Sequence, residues 1–299
     1  MRIVVSGASG LIGSALVPSL REDGHEVLRL VRRTATGPDE IAWDPANSHI
    51  NVADLEGTDA IVHLAGAGVG DKRWSDAYKK EILDSRVLGT CTLANAAASL
   101  DSPPSVFVSG SAMGYYGDRG DEILDESASK GTGFLADVVQ AWEAAAAPAV
   151  DAGIRVPFAR TGLVVSENGG AWQRLIKQFK LGAGGRLGSG NQYWSFISLR
   201  DEVRALRFLI DTDTLAGPVN LVSPNPVTNR QATEDLAELL HRPAIVHAPA
   251  FALKLALGEF SSEVLSSARV NPALLTAAGF SWNDPTMTDA LRACLPDTD

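Results

Sequence analysis

Apolar runs and helical patterns alternate along the first half of the chain. Short apolar runs predict buried strands, whereas apolar residues three or four positions apart predict amphipathic helices. Such alternation is typical of parallel βαβ units joined by right-handed crossovers. The sequence therefore predicts an α/β fold, with a doubly wound parallel sheet and helices on both faces. The predicted strands are residues 2–6, 26–31, 41–43, 60–64, 106–109 and 155–160, and the predicted helices start near Ile12 and cover 79–100 and about 134–147.

From about Thr161 the alternation becomes irregular, because glycines and prolines interrupt it. We expect a sheet domain over residues 1–165, completed by parts of 190–222, and a smaller α+β lobe over 166–299 that caps the substrate. The glycine-rich stretch 182–190 is predicted to be either a mobile loop over the pocket or a plain surface connection.

The charge balance is acidic, since 26 basic and 36 acidic residues give a net charge of −10 over 299 residues. This excludes nucleic acid as a bulk partner, because a phosphate backbone binds basic faces. Two distant cysteines form no disulfide framework, and the five histidines lack metal-ligand spacing, so no metal is expected. The sequence shows neither a membrane span nor a signal peptide, so we expect a cytoplasmic protein without membrane contact.

Three glycines join the first predicted strand to the first helix. Gly7 permits a tight turn, Gly10 lets a phosphate approach the backbone, and Gly13 allows close helix–strand packing. The free N–H groups and the dipole at the helix start attract phosphates. The spacing is G-x-x-G-x-x-G rather than the usual G-x-G-x-x-G, but its position between strand and helix predicts a dinucleotide site.

The residues at the end of the second predicted strand indicate whether the site prefers NAD(H) or NADP(H). An NAD site commonly has a carboxylate near this point to bind the ribose 2′-hydroxyl, but this strand ends in Arg32 and Arg33. Guanidinium groups form charge-assisted hydrogen bonds to a 2′-phosphate. We therefore expect NADP(H) in preference to NAD(H), unless both arginines only form a solvated strand end.

Motifs spread over nearly the whole chain resemble those of one family. They are the glycine loop, His63-Leu64-Ala65-Gly66, Arg73-Trp74, residues 85–90, residues 109–117, Arg160-Thr-Gly-Leu, Trp194-Ser-Phe-Ile197 with Asp201, and residues 217–220. As a set they resemble an atypical subgroup of the extended short-chain dehydrogenases/reductases, the NAD-dependent epimerase/dehydratase-like "epimerase family proteins". Residues 245–295 resemble the C-terminal domain of unknown function of that subgroup.

The resemblance implies a Rossmann-like domain that binds a nicotinamide cofactor. It implies two groups of cofactor contacts. Residues of the glycine loop contact the pyrophosphate, and residues after the fourth predicted strand line the ribose and nicotinamide. The first group is Gly7, Ser9, Gly10, Leu11, Ile12 and Gly13, and the second is His63, Leu64, Ala65 and Gly66.

The usual proton-transfer pair of extended reductases is absent. These enzymes carry a Tyr-x-x-x-Lys whose tyrosine exchanges a proton with the substrate. If Glu143 aligns with the glutamate that often follows this motif, Leu135 and Val139 take the places of the tyrosine and the lysine. Neither of these side chains can transfer a proton.

Other hydroxyl groups are candidates for the catalytic roles. Ser109 and Ser111 follow the fifth predicted strand, where a serine orients the substrate oxygen in this family. Tyr115 and Tyr116 come next, and either phenol could act as the acid if a nearby cation lowers its pKa. The alternative is that these hydroxyl groups only stabilise the fold.

Four further side chains are candidate substrate contacts. Arg73 lies on the loop after the fourth predicted strand, near the expected nicotinamide end, and Arg86 takes a helix position where extended reductases commonly have asparagine. Trp194 stands where nucleotide-sugar enzymes often have an arginine for the sugar-nucleotide pyrophosphate, and Trp194 and Gln192 together suit a flatter or less charged substrate. An indole cannot neutralise a diphosphate, which disfavours nucleotide-sugar substrates. Asp201 is expected to be a helix cap or a packing residue rather than an acid catalyst.

The sequence thus favours an NADP(H)-binding oxidoreductase acting on an unknown small carbonyl or hydroxyl substrate. Two alternatives stay open: an epimerase or dehydratase with tightly held cofactor, and a catalytically inert NADP(H)-binding redox sensor. The expected partner is a small molecule, and a homodimer is left open.

Overall fold

A computed structural model describes residues 1–295 and contains one extended, mostly parallel sheet with helices on both faces. The strands are β1 (Arg2–Ser6), β2 (Glu26–Val31), β3 (Glu40–Asp44), β4 (His49–Ile50), β5 (Ala60–His63), β6 (Val106–Ala112), β7 (Ile123–Leu124), β8 (Pro157–Thr161), β9 (Leu163–Val165), β10 (Gly185–Leu187), β11 (Tyr193–Trp194), β12 (Phe196–Ser198), β13 (Gly217–Leu221), β14 (Val227–Thr228), β15 (Val246–Ala248) and β16 (Arg269–Val270).

The helices are distributed between the strands. They are α1 (Leu11–Glu22), α2 (Asp76–Ala98), α3 (Phe134–Ala144), α4 (Ala147–Asp151), α5 (Gly170–Lys180), α6 (Leu199–Asp211), α7 (Asn229–Leu239), α8 (Ala250–Leu257), α9 (Ser261–Leu265), α10 (Ala273–Ala277) and α11 (Met287–Cys294). Short 3₁₀ helices cover Pro45–Asn47, Val52–Leu55, Met113–Tyr116 and Gly258–Phe260.

The main sheet has the strand order β13-β8-β6-β5-β1-β2-β3-β4. Its neighbouring strands pair in parallel, except that β3 and β4 are antiparallel. The chain builds outward from β1 through β2 on one side and from β5 through β6 on the other, so the order reverses between β1 and β5. In open parallel sheets, a crevice forms at the carboxyl ends of the strands where the order reverses. This position is where a ligand is expected.

The two faces of the sheet have separate apolar cores. Alternate residues of β1 point to opposite faces, as strand geometry requires. Val5 packs with Leu16 of α1 and Leu206 of α6, whereas Val4 packs with Leu93 of α2 and Ala149 of α4. Helices therefore cover both faces, and the predicted Rossmann-like doubly wound fold is confirmed.

Outside the main sheet, short two-stranded pairings and helices form a second group of elements, which we call the small lobe. The pairs are β9 with β12, β10 with β15 and β11 with β14, and β7 pairs with β16. A buried cluster that includes Trp172, Trp194 and Leu291 forms the core of this lobe. Between residues 1 and 295, no helix is both long enough and apolar enough to cross a membrane.

Several local predictions were wrong. Residues 182–190 do not form a plain loop, because Gly185–Leu187 forms β10 and pairs with β15. The strand predicted at 106–109 continues to Ala112, and Ser109 and Ser111 pair with Phe158 and Arg160 of β8. Of the two roles expected for Asp201, the structure shows the buried packing residue and not the helix cap. Ser198 caps α6, and Asp201 instead accepts hydrogen bonds from the backbone N–H groups of residues 283 and 284.

Candidate functional site

The glycine loop forms a close-fitting turn at the crevice. Gly7 has φ +67°, and a Cβ on it would lie 2.8 Å from the carbonyl carbon of Leu64. A Cβ on Gly13 would lie 2.2 Å from the carbonyl oxygen of Gly7. Only glycine fits at both positions, because any larger residue would separate α1 from β1 or from the neighbouring loop.

The start of α1 is free to bind a phosphate. Gly10 is the N-cap residue and gives no side-chain hydrogen bond to the helix. Ser9 and Gly10 are exposed, and Leu11 and Ile12 are partly exposed. The leading N–H groups and the positive end of the helix dipole therefore face the crevice, as a dinucleotide pyrophosphate requires. The residues present fit that group.

A buried hydrogen-bond cluster holds the loop after β5 against the glycine loop. Ser6 Oγ lies 2.6 Å from His63 Nδ1, and it accepts the backbone N–H groups of Leu64 (3.1 Å) and Ala65 (3.2 Å). Because both amides donate to this oxygen, the Ser6 hydroxyl donates its proton to Nδ1. Burial lowers the pKa of His63 to about 3, so the ring is neutral. His63 lies beneath the predicted cofactor-lining residues and is fully buried.

The two arginines at the end of β2 have different surroundings. Arg33 donates to both carboxylate oxygens of Glu40, at 2.6 and 2.8 Å. This hydrogen bonding lowers the pKa of Glu40 to about 2. Arg32 is exposed, and within residues 1–295 its guanidinium has no hydrogen-bond or ion-pair partner. Of the two predicted phosphate ligands, Arg32 is therefore the one whose charge is free.

The predicted catalytic serines lie inside β6. Ser109 is fully buried, and its hydroxyl lies 3.1 Å from the carbonyl oxygen of Gly110. Ser111 Oγ donates to Glu143 Oε1 at 2.7 Å. Arg160 Nε and Nη2 donate to the two oxygens of the same carboxylate, at 2.8 and 2.9 Å. Ser111 is thus oriented by a buried ion pair, and Ser109 is enclosed within the sheet.

The two predicted tyrosines differ in their access to a ligand. Tyr116 is fully buried; its hydroxyl donates to Asn220 Oδ1 at 2.7 Å and accepts from Arg160 Nη1 at 3.1 Å. Burial raises the pKa of this phenol above its ordinary value. Tyr115 is partly exposed, and the Arg160 guanidinium carbon lies 3.5 Å from the centre of its ring. Tyr115 is therefore the accessible phenol with a cation beside it.

The surface that faces the tyrosine-bearing turn from α3 is apolar. A Cβ on Gly114 would lie 3.4 Å from Leu135 Cβ and 4.0 Å from Val139 Cγ2. Lys130, the lysine that precedes this helix, forms an ion pair with Asp137. The structure thus places no proton-transfer pair at the Leu135 and Val139 positions.

The four predicted substrate residues do not come together. Arg86 lies against the backbone of Gly66, on the loop that follows β5. Arg73 is exposed and contacts the α8 carbonyl of Leu255 at 3.4 Å. Trp194 is buried in the small lobe against Trp172, and Gln192 is buried with its amide donating to the Leu187 carbonyl. A substrate role for Gln192 and Trp194 stays a prediction.

Sequence reasoning missed the residues that orient the candidate catalytic groups. In the sequence, Glu143 serves only to align a motif, and Arg160 is recognised only as part of one. One signal was available, since Arg160 is a charged residue within the apolar run of β8, and a buried charge in a central strand requires a partner. Ser6 and Asn220 gave no such signal, because small polar residues are common at strand ends.

Comparison with known proteins gives consistent results for the whole chain. A family model described as the NAD dependent epimerase/dehydratase family matches residues 3–221, and a domain of unknown function, DUF1731, matches residues 248–294. The chain is 42% identical over 290 residues to the epimerase family protein ML0860 of Mycobacterium leprae, covering 97% of this chain and 94% of that protein.

Solved structures show the same fold. The human epimerase family protein SDR39U1, crystallised with NADPH, matches with a TM-score of 0.91 and 31% identity, covering 98% of this chain and 99% of that one. MoeE5, in complex with UDP-glucose and NAD, matches with a TM-score of 0.78 and 25% identity over 98% of this chain and 97% of that one. The strand order, the glycine loop and these matches lead to one conclusion: the chain belongs to the NAD dependent epimerase/dehydratase family.

Proposed function

We propose that the protein is an NADP(H)-dependent oxidoreductase that acts on a small carbonyl or hydroxyl compound. The observation that carries the proposal is the uncapped start of α1 within a glycine cradle, with the free guanidinium of Arg32 at the end of the neighbouring strand β2. The uncapped helix start suits a pyrophosphate, and the free guanidinium suits a 2′-phosphate. The NADPH in the human relative's structure supports the same cofactor.

Bound NADPH would supply a hydride to the carbonyl carbon. Tyr115 would give its phenolic proton to the carbonyl oxygen, so that the reduced product is the alcohol. The Arg160 guanidinium carbon lies 3.5 Å from the centre of the Tyr115 ring, and this contact fixes the position of the phenol. Ser111 gives its proton to Glu143, so its oxygen would accept the hydroxyl of the alcohol and would not donate to the carbonyl oxygen.

Turnover of NADPH with a panel of aldehydes and ketones tests this proposal. We expect at least one compound to be reduced, and Tyr115→Phe to lower kcat by about a hundredfold or more, as loss of a proton donor does. Tyr193→Phe is the matched control, because Arg269 lies 4.9 Å from that ring in the small lobe. Full activity of the Tyr115→Phe variant would remove the phenol from the mechanism.

A protein that binds NADP(H) without catalysis is a second candidate. The apolar Leu135 and Val139 surface, where extended reductases carry their proton-transfer pair, favours it. Tight NADPH binding without reduction of any compound in the panel would support this candidate over the oxidoreductase.

A further inference from the structure

We propose that Arg86 binds a carboxylate group of the substrate, so that the substrate is a carbonyl or hydroxyl acid. The inference rests on the proposed function in one respect, namely that the ligand bound by Arg86 is the substrate. The site itself is defined by residues of the β5–α2 loop, α2 and α3.

Arg86 lies at the crevice edge, between the ends of β5 and β6. A Cβ on Gly66 would lie 3.2 Å from its guanidinium carbon. On its other side the guanidinium carbon is 5.0 Å from the Trp142 ring. That indole in turn packs on Gly110, where a Cβ would lie 2.9 Å from it. The Trp142 indole therefore lies between Arg86 and the part of β6 that carries Ser109 and Ser111.

Only one nitrogen of Arg86 is engaged. Nη1 donates to the carbonyl oxygens of Ala67 at 2.9 Å and Ile82 at 3.0 Å. Across residues 1–295 the Nε and Nη2 atoms make no hydrogen bond, and no carboxylate lies within ion-pair distance. Neither atom is completely sealed from solvent.

The charge of Arg86 is poorly compensated. Burial lowers its pKa to about 10, which no neighbouring carboxylate counters. A partly desolvated cation without a counter-ion destabilises the folded protein, and an arriving anion removes that cost. The site therefore has a physical preference for an anionic ligand group.

The geometry selects a carboxylate among the anions. The free Nε and Nη2 atoms lie on one edge of the guanidinium, the edge that forms two parallel hydrogen bonds with a planar carboxylate. Lys72 pairs with Glu81, and Arg73 is exposed to solvent and contacts the Leu255 carbonyl. The partly buried guanidinium of Arg86 therefore offers a single charge at this site, which matches a monoanion better than a phosphate dianion.

Thermal unfolding of the full chain with saturating NADPH tests the inference, at constant ionic strength set with chloride. Acetate and pyruvate should raise Tm in a concentration-dependent way, and neutral acetamide should not. Arg86→Gln should require about tenfold more carboxylate for the same shift. Arg242→Gln, at an exposed arginine of the small lobe, is the matched control and should respond like the unchanged protein.

Several results would overturn the inference. One is an equal shift in Tm with carboxylates in the Arg86→Gln variant and the unchanged protein. Another is a shift in Tm with phosphate but not with carboxylates. A third is a large loss of NADPH affinity in Arg86→Gln, which would assign Arg86 to the cofactor. If Arg86→Gln does not fold, Arg86→Lys replaces it. This variant keeps the positive charge but cannot form two parallel hydrogen bonds with a carboxylate, so it should also need more carboxylate for the same shift in Tm. If NADPH does not bind, the proposed function fails, while the same carboxylate comparison without cofactor still tests Arg86.

Discussion

Arg160 connects the candidate catalytic groups at the residue scale. Its side chain is 2% exposed, and its guanidinium binds both oxygens of Glu143, donates to the Tyr116 hydroxyl and lies over the Tyr115 ring. Ser111 donates to the same carboxylate. One buried ion pair therefore fixes the serine and the accessible phenol relative to each other, which is the kind of support a catalytic pair requires.

Glu202 provides a pH-dependent test at the same scale. It is fully buried on α6, and Thr161 donates to its Oε1 at 2.8 Å, while Oε2 has no partner within residues 1–295. Burial raises its pKa from 4.5 to about 8. Between these values the folded protein holds a proton that the unfolded chain releases, so this group's contribution to stability falls as pH rises.

Glu202→Gln, which is always neutral, should therefore gain stability relative to the unchanged protein as pH rises from 4.5 to about 8. The difference should be constant above and below that window. Denaturant unfolding at a series of pH values measures it, with the exposed Glu234→Gln as control. A stability difference that does not change with pH would show that Glu202 is not protonated in the folded state.

The glycine loop is the element that the sequence describes best. Its three glycines predicted the turn, and the structure shows the steric reason at Gly7 and Gly13. Gly13→Ala would place a methyl group 2.2 Å from the Gly7 carbonyl oxygen and push α1 away from the loop. We expect NADPH affinity to fall by about tenfold or more. Ser14→Ala, on the exposed side of the same turn, should leave the affinity unchanged; equal losses in both variants would contradict this account.

Elements with a periodic apolar pattern could be predicted, and those held by tertiary contacts could not. The apolar runs of β1 and β5 were sufficient to place them. The polar end of β6 was not recognisable as strand, because Ser111 is satisfied there by Glu143, 32 positions away in the sequence. Likewise, Arg33 appeared free until the structure showed Glu40 beside it on the neighbouring strand.

At the scale of the whole molecule, the C-terminal segment completes the small lobe. Leu291 of α11 is fully buried in the cluster that contains Trp172 and Trp194. Leu291→Ala should lower the free energy of unfolding by about 2–5 kcal/mol, through lost burial and the cavity left behind. Leu181→Ala is the control, because this leucine is 83% exposed and should change stability by less than about 0.5 kcal/mol. Chemical denaturation compares the two, and a neutral Leu291→Ala would show that α11 is not part of the core.

The central claim, NADP(H) binding through the glycine cradle and Arg32, is tested most directly by the ratio of the Kd values for NADH and NADPH. The ratio should exceed one for the unchanged protein, because the free guanidinium of Arg32 binds the 2′-phosphate. Arg32→Glu should weaken NADPH by about tenfold or more and leave NADH nearly unchanged, whereas Arg242→Glu should alter neither. Tighter binding of NADH, no binding of either dinucleotide, or an Arg32→Glu variant with the original ratio would contradict the account.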